Sequence, residues 1–329
     1  MIGAGNAGKT HLRLLKELLY YEIVGFYDPN ETNAKTVIDT FNLQRFSSAD
    51  ELMEAVDVID IATPTLHHFD LASKALKLSK HIFIEKPMTR SLKDAKTLRA
   101  LAAEADVKVQ VGHRDRFNPA FHASREHLKD PMFIDTQRLI RFDPDGSEIS
   151  VVHDILLNDI DLVLSVVRSN IKRISASGVA ITGETPDIVN ARIEFDNGCV
   201  ANLTASRIAI KTMIRFRSYQ KDAYLFIDLL ENDSKILRIK NAESSPDPLT
   251  IPLSPGREKG GRKVMFEDLQ IEPADPVKME LEAFAEAILN NTDTPVTIDD
   301  SYRALDVAAQ ITEKISRTTD FLSENAISA

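Results

Sequence analysis

The chain contains a single cysteine, Cys199, in 329 residues. One thiol excludes an intramolecular disulfide and any cysteine-built metal cluster. Its strand-like surroundings make a buried structural thiol the expected role. Basic residues are in deficit, with 40 Lys and Arg against 50 Asp and Glu, a formal charge of −10. Nucleic acid is therefore not an expected partner, because phosphate backbones call for a basic face. No apolar run reaches the length of a membrane span, so no membrane partner is expected either. No secretory signal precedes a glycine-rich turn that starts at residue 3, which makes the cytoplasm the expected compartment. The chain is 43% hydrophobic and 27% charged, as a globular protein is, and long enough for two domains.

The first recognisable chemistry is the run Gly3-Ala4-Gly5-Asn6-Ala7-Gly8. In a G-x-G-x-x-G turn the first glycine permits a tight bend and the second lets backbone approach a pyrophosphate. The third allows close helix–strand packing. A helix opening there, with Leu12, Leu15, Leu18 and Leu19 on one side of Lys9–Tyr21, offers unpaired N–H groups to phosphates. Asp28 stands twenty residues past Gly8, at the end of the apolar run Ile23–Tyr27. There it would accept hydrogen bonds from the adenosine ribose and repel a 2′-phosphate, so NAD is favoured over NADP. Only Met1 and Ile2 precede Gly3, whereas a strand usually runs about five or six residues. Either the chain starts late, or the central strand is a stub.

Apolar runs at Val58–Ala62, His81–Ile84 and Val107–Val111 alternate with helical patterns at Ala49–Ala55, Phe69–Leu78 and Leu92–Ala105. That alternation specifies a parallel sheet covered on both faces, with ligand at the carboxyl ends of its strands. The strand tails Asp28, Thr63-Pro64-Thr65, Glu85-Lys86-Pro87 and Gly112-His113 should then line one crevice. After Asn118-Pro119 the pattern changes. A long helix is expected around Ile149–Val167. Six β-type segments follow: Ile171–Val179, Ile188–Phe195, Val200–Ser206, Arg215–Tyr219, Ala223–Asp228 and Lys235–Lys240. Asp196-Asn197-Gly198 is a hairpin signal, residues 241–262 read as a long loop, and helices are expected from Pro276 and over Asp299–Ser316. The fold expected is α/β, a doubly wound Rossmann domain over residues 1–117. An α+β domain over 118–329 would follow, with a large, mostly antiparallel, open-faced sheet.

Within the long helix, Asp154, Asn158, Asp161 and Ser165 fall at i, i+4, i+7 and i+11. Ile155, Leu156, Leu157, Ile160, Leu162, Val163 and Leu164 fill most of the rest, interrupted by Asp159. A surface helix would show a broad polar face. So thin a stripe suggests the lining of a wet cleft.

Glu85-Lys86-Pro87, taken with the glycine turn and Thr63-Pro64, resembles the glucose–fructose oxidoreductase/inositol dehydrogenase/rhizopine catabolism (Gfo/Idh/MocA) family. The similarity extends through Val111-Gly-His-Arg-Asp-Arg-Phe-Asn-Pro119, His153-Asp-Ile-Leu-Leu-Asn-Asp-Ile-Asp161, Ala205-Ser-Arg207 and Glu280-Leu-Glu-Ala-Phe284. It is greatest for the branch acting on UDP-N-acetylglucosamine as a 3-dehydrogenase. The resemblance implies an NAD-dependent oxidoreductase acting on a secondary hydroxyl of a sugar or nucleotide-linked sugar. Lys86 would stand beside the nicotinamide as acid/base, and the cationic ring beside it would lower its pKa. Pro87 would hold the lysine's backbone, with a cis bond as one means. Thr63, Pro64 and His68 would lie over the cofactor, next to Gly3, Ala4, Gly5, Asn6, Ala7, Gly8, Asp28 and Glu85. His113, Arg116 and Asn118 fit the entrance to the substrate site, although a structural ion pair is the other role open to Arg116. No metal is expected, since His67 and His68 lack a third ligand at a recognisable spacing.

One position departs from the family. Its pattern has Asp, three residues, then a proton-handling His, and here those positions are Asp154 and Asn158. An amide cannot take a proton near neutral pH. His153 is five residues from Asn158, about 140° around a regular helix, so it should point away unless the register changes. Two readings stay open: an enzyme in which Lys86 handles protons while Asp154 and Asn158 orient the hydroxyl, or a catalytically weakened NAD- and sugar-binding sensor or regulator. The resemblance also implies a homodimer or homotetramer, formed through the open sheet face.

Overall fold

The computed structural model describes residues 1–143, 150–241, 250–252 and 262–326. The chain divides into two compact units, the first comprising Met1–Phe117 and Ala274–Asp306, the second Asn118–Pro273 and Val307–Ala329.

The first unit alternates helix and strand: α1 (Asn6–Leu15), α2 (Glu31–Phe41), α3 (Ala49–Glu54), β1 (Val58–Ile61), α4 (His68–Lys77), β2 (His81–Glu85), α5 (Leu92–Ala105) and β3 (Val109–Gly112). Strands β1, β2 and β3 pair in parallel in that order. Single-residue parallel bridges extend the sheet past β1, from Ile61 to Ile2, from Ile2 to Tyr27 and from Phe26 to Arg45. Ile2 thus holds the central lane between Tyr27 and Ile61, with its N–H donating to Asp60 O and its carbonyl accepting from Ala62 N–H. In this central lane the chain supplies Ile2 alone, and of the apolar run Ile23–Tyr27 only Phe26 and Tyr27 bridge to neighbours. α1 closes at Leu15, six residues before the end its leucine spacing suggests. α2 is capped by Asn30, whose side chain accepts from the Asn33 amide.

One return segment completes this unit. Helix α8 (Pro276–Leu289) seats Leu281 and Phe284 in the core formed by Leu12, Leu15, Phe26 and Phe83. Its N-cap is Asp275, which accepts from the Val277 and Lys278 amides. Beyond it, Val111 N–H donates to Val296 O and Thr294 Oγ1 to Val109 O, which covers the β3 edge. Residues 274–306 therefore pack with the nucleotide-fold core, whereas a linear reading of the chain assigned them to the second domain. The apolar face of α8 fits that core, and sequence order does not record the return.

The second unit carries α6 (Pro119–Ser124), β4 (Phe133–Arg141), a π-helical turn at Val152–Leu156, α7 (Leu157–Val166), and strands β5 (Ile171–Val179), β6 (Ile188–Phe195), β7 (Val200–Ala209), β8 (Met213–Tyr219), β9 (Ala223–Asp228), β10 (Asp233–Asn241), β11 (Thr250–Pro252) and β12 (Arg262–Asp268). They form one nine-stranded sheet in the order β11-β12-β10-β9-β8-β4-β7-β6-β5. All pairs are antiparallel except β4 with β7. Ile134, Thr136, Leu203, Ala205, Phe216, Leu225 and Ile227 are buried, and α6 and α7 pack on this sheet. Across the alternation, Phe133, Tyr219 and Tyr224 form an aromatic row, and Arg217 pairs with Asp135 at 2.7 Å.

Gly198, at φ +87°, makes the β6–β7 hairpin. Cys199 beside it is buried, and burial pushes its thiol up to about 11. Of the loop expected over 241–262, residues 250–252 are strand instead, while 242–249 and 253–261 lie outside the described residues. A last helix, α9 (Ile298–Ala326), begins in the first unit and continues into the second. Among the described residues no helix is long and apolar enough to cross a membrane.

Candidate functional site

The glycine turn sits at the carboxyl end of the central strand, and each glycine has its own reason. Gly3 adopts φ +95°, and a Cβ there would lie 2.7 Å from Ala62 backbone. A Cβ on Gly8 would stand 2.0 Å from Gly3 O. These two are fixed by packing. A Cβ on Gly5 would meet nothing within 4 Å, so packing gives no reason for its smallness, while close approach of a ligand does. Gly5 is also the N-cap of α1 and supplies no side-chain cap. The first N–H groups of α1, at Asn6, Ala7 and Gly8, thus have the geometry of an anion site. Thr63 Oγ1, at the next turn, is buried without a hydrogen-bond partner, as a group awaiting a polar ligand would be. These features fit a dinucleotide.

Asp28 is buried, and its two oxygens accept from Ala4 N–H at 2.6 Å and Asn30 N–H at 2.7 Å. The nearby cation is already engaged. Arg45 donates from both terminal nitrogens to Glu31 and also to Asp28 O.

Two further turns are joined by one ring. His68 Nε2 is 2.8 Å from Thr63 O and Nδ1 is 3.0 Å from Pro87 O. Burial draws its pKa down, so a neutral ring donates to one carbonyl at a time. His68 thus stands within hydrogen-bonding distance of both the Thr63-Pro64 turn and Lys86-Pro87, whose peptide bond is cis. On the other side of Lys86, Glu85 Oε2 accepts from the Lys86 amide at 3.2 Å. Glu85 Oε1 lies 3.0 Å from His11 Nε2, and His11 Nδ1 lies 2.9 Å from Asp60 Oδ2. Neither His11 nor Asp60 figured among the sequence candidates. The available signal was a polar residue at a buried helical position beside Leu12, and one Asp within Val58-Ile-Asp-Ile61.

Other candidates are engaged within their own units. His113 Nε2 is 3.3 Å from Ser301 Oγ, and Arg116 donates to Pro295 O and the Asp300 carboxylate. The ion-pair role open to Arg116 is the one it fills. Asn118 uses all four of its hydrogen-bonding capacities: Oδ1 accepts from the Ala120 and Phe121 amides, and Nδ2 donates to Leu229 O and Asn232 Oδ1. In place of the substrate contact expected of it, it caps α6 and anchors that helix to the end of β9.

The polar stripe needs correction. Asp161 is buried, and Asp159 pairs with buried Arg138 at 2.8 Å. From Val151 to Leu164 the only positions that are not buried are His153, Asp154 and Asn158. The register change that would bring His153 to this face is present. Leu157 N–H donates to Val152 O, five residues back, so one turn holds an extra residue. Burial draws the His153 ring below its ordinary pKa. Asn158 Nδ2 donates to its own helix, at Asp154 O and Ile155 O.

A separate cavity of about 260 Å³, lined by Tyr21, Gly25, Asp57, Phe83 and Phe284 among others, opens at the amino ends of the strands. Ligands of this fold bind at the opposite ends, so the turns above form the candidate site.

Residues 1–113 match the model of the oxidoreductase family with an NAD-binding Rossmann fold. The chain is 31% identical over 289 residues to UDP-N-acetylglucosamine 3-dehydrogenase of Acidithiobacillus ferrooxidans, covering 88% of this chain and 87% of that one. The chain belongs to the Gfo/Idh/MocA oxidoreductase family. Another relative in it is scyllo-inositol 2-dehydrogenase (NAD(+)) of Bacillus subtilis, 25% identical over 98% of this chain and 93% of that one. A solved structure of the Acidithiobacillus enzyme superposes with a TM-score of 0.86 at 28% identity, covering 95% and 96% of the two chains.

Proposed function

We propose that this family member is an NAD-dependent dehydrogenase acting on a secondary hydroxyl of a nucleotide-linked sugar, with Lys86 as the acid/base. The observation that carries the reading is the position of Lys86, between Glu85 and Pro87, in a turn that shares the buried His68 ring with the Thr63 turn of the glycine-loop unit. The nicotinamide, when bound, supplies the hydride acceptor. The Asn6, Ala7 and Gly8 amides hold the pyrophosphate and Asp28 the ribose hydroxyls. Arg45 is already paired with Glu31, and the Asp28 carboxylate at the ribose position would repel a 2′-phosphate, which supports NAD over NADP. Lys86 takes the hydroxyl proton as the carbinol is oxidised, and Asp154 and Asn158 orient that hydroxyl. The sugar class follows from the likeness to the Acidithiobacillus enzyme. A second copy of the chain, docked on the aromatic row of the open sheet face, belongs to the same proposal.

The test is reduction of NAD⁺ followed at 340 nm with UDP-N-acetylglucosamine and a panel of UDP-sugars, for the wild type and Lys86→Met. Turnover lost in the variant, with NADH binding kept, is the expected result. Equal turnover in both would remove Lys86 from the mechanism. A wild type that binds NADH and the sugar nucleotide without turning over would favour the sensor, a reading motivated by Asn158.

A further inference from the structure

We propose that His11 is a positioning residue for Lys86, acting through Glu85. The inference rests on the acid/base reading of Lys86, and everything else in it comes from the geometry of the first unit.

His11 lies on α1 three residues after Gly8, and it is 1% exposed. Both ring nitrogens face carboxylates, Asp60 on β1 at 2.9 Å and Glu85 at the end of β2 at 3.0 Å. Ionised carboxylates only accept, so two such contacts require a hydrogen on each nitrogen. Burial opposes that charge, but the two carboxylates outweigh it and hold the ring pKa well above its ordinary value. Burial would likewise raise the Glu85 carboxyl, yet His11, and Lys86 after it, hold it below the usual range. The remaining ionisable neighbours act on one carboxylate at a time: the Met1 amino group and Tyr21 on Asp60, and Lys86 and His68 on Glu85. Phe83 closes the space edge-on, 5.5 Å from the imidazole centre.

The link to Lys86 is one carboxylate. Glu85 gives Oε1 to His11 and Oε2 to the Lys86 amide. Gly112, its neighbour on β3, leaves it room, since a Cβ there would lie 3.2 Å from Oε2. Without the cation between them, Asp60 and Glu85 would be two carboxylates one ring-width apart. Glu85 would then turn to solvent or take a proton, and either change would release the Lys86 amide. A small displacement of a reacting group costs up to about a hundredfold in rate.

The experiment uses the full chain with its lysines ¹³C-dimethylated, the Lys86 signal being identified by its absence in Lys86→Arg. His11→Gln, Glu85→Gln and the double variant are compared with wild type for kcat and KM on UDP-N-acetylglucosamine, for NADH affinity, and for the Lys86 titration. We expect His11→Gln to lower kcat about ten- to hundredfold, with NADH affinity within about twofold. The Lys86 midpoint should move downward as the Glu85 carboxylate beside it turns away or takes a proton. In the Glu85→Gln background the His11 change should add nothing. Wild-type kcat and an unmoved Lys86 midpoint in His11→Gln would overturn the inference, as would a full extra loss in the double variant. Should His11→Gln not fold, ¹⁵N spectra of the wild-type ring decide: both nitrogens protonated at pH 8 support the bridge, and a neutral tautomer overturns it. A wild type without turnover on UDP-sugars removes the proposed function alone, since the Lys86 titration needs no turnover.

Discussion

The Asp28 carboxylate accepts a 2.6 Å hydrogen bond from the Ala4 amide, so the acidic end of one strand is fastened to the turn between Gly3 and Gly5. Asp28→Ser removes that tie together with the acceptors proposed for ribose. Hydrogen bonds to charged groups contribute about 1.5–3 kcal/mol. The expected outcome is a rise of about ten- to hundredfold in KM for NAD⁺ and a narrower preference over NADP⁺, read from kcat/KM with each cofactor.

Gly5 and Gly8 should respond differently to the same change. Gly8→Ala forces a Cβ against Gly3 O, and overpacking of this kind costs about 1–3 kcal/mol or more, so the urea midpoint should fall. Gly5→Ala meets nothing and should leave stability within about 0.5 kcal/mol, yet weaken NADH binding measured by fluorescence. Equal losses of stability in both variants would contradict a ligand-driven reason for Gly5.

Asn158→His places a titratable ring among His153 and Asp154. General acid–base catalysis contributes about 10²–10⁴-fold where geometry allows. The expected result is a higher kcat, with the gain growing as pH rises through the pKa of the new ring. A lower kcat would mean that the amide itself serves the reaction.

Arg138 and Asp159 form a buried pair between β4 and α7. Arg138→Met leaves a buried carboxylate without its cation and should cost about 3–5 kcal/mol in urea unfolding. Arg138→Met with Asp159→Leu should recover part of that loss. A double variant less stable than the single would contradict this account.

The pH dependence of stability carries the signature of the His11 bridge. The raised His11 pKa contributes stability that is fully present below its ordinary value of 6.5 and is lost as pH rises through the folded value. The lowered Glu85 pKa contributes stability that is present above 4.5 and is lost as pH falls through its own folded value. Urea midpoints should therefore plateau between these values and decline on either side. The alkaline decline should flatten in His11→Gln; parallel curves for variant and wild type above neutral pH would rule the bridge out as its source.

The sequence made the nucleotide unit legible because glycine spacing and strand–helix alternation are local properties. Features that depend on tertiary context were missed. β4 was overlooked because its buried row is Ile134, Thr136 and Arg138, two of them polar, so the alternation does not read as apolar and polar. α2 buries only Ala34 and Val37, too thin a stripe to stand out beside its cap at Asn30. The return of α8 to the first core is invisible in linear order. At the site, Lys86 and Asp28 are candidates because they stand in motifs. His11 and Asp60 carry no motif, and their meaning lies in a contact across 49 positions. Asn118 shows the converse, since a polar residue in a suggestive place serves as a helix cap, which the motif does not reveal.

The wide turn at Val152–Leu156 has a structural cost and a benefit. Downstream, α7 is anchored to the sheet by Arg138 and Asp159, so slack introduced by the extra residue is taken up on the upstream side. Shortening Val152–Leu156 by one residue would swing the His153 imidazole by about 100° while α7 stayed seated. The bulge thus acts as a mechanical spacer, and the side chain presented to solvent there is chosen by residue count as much as by residue type.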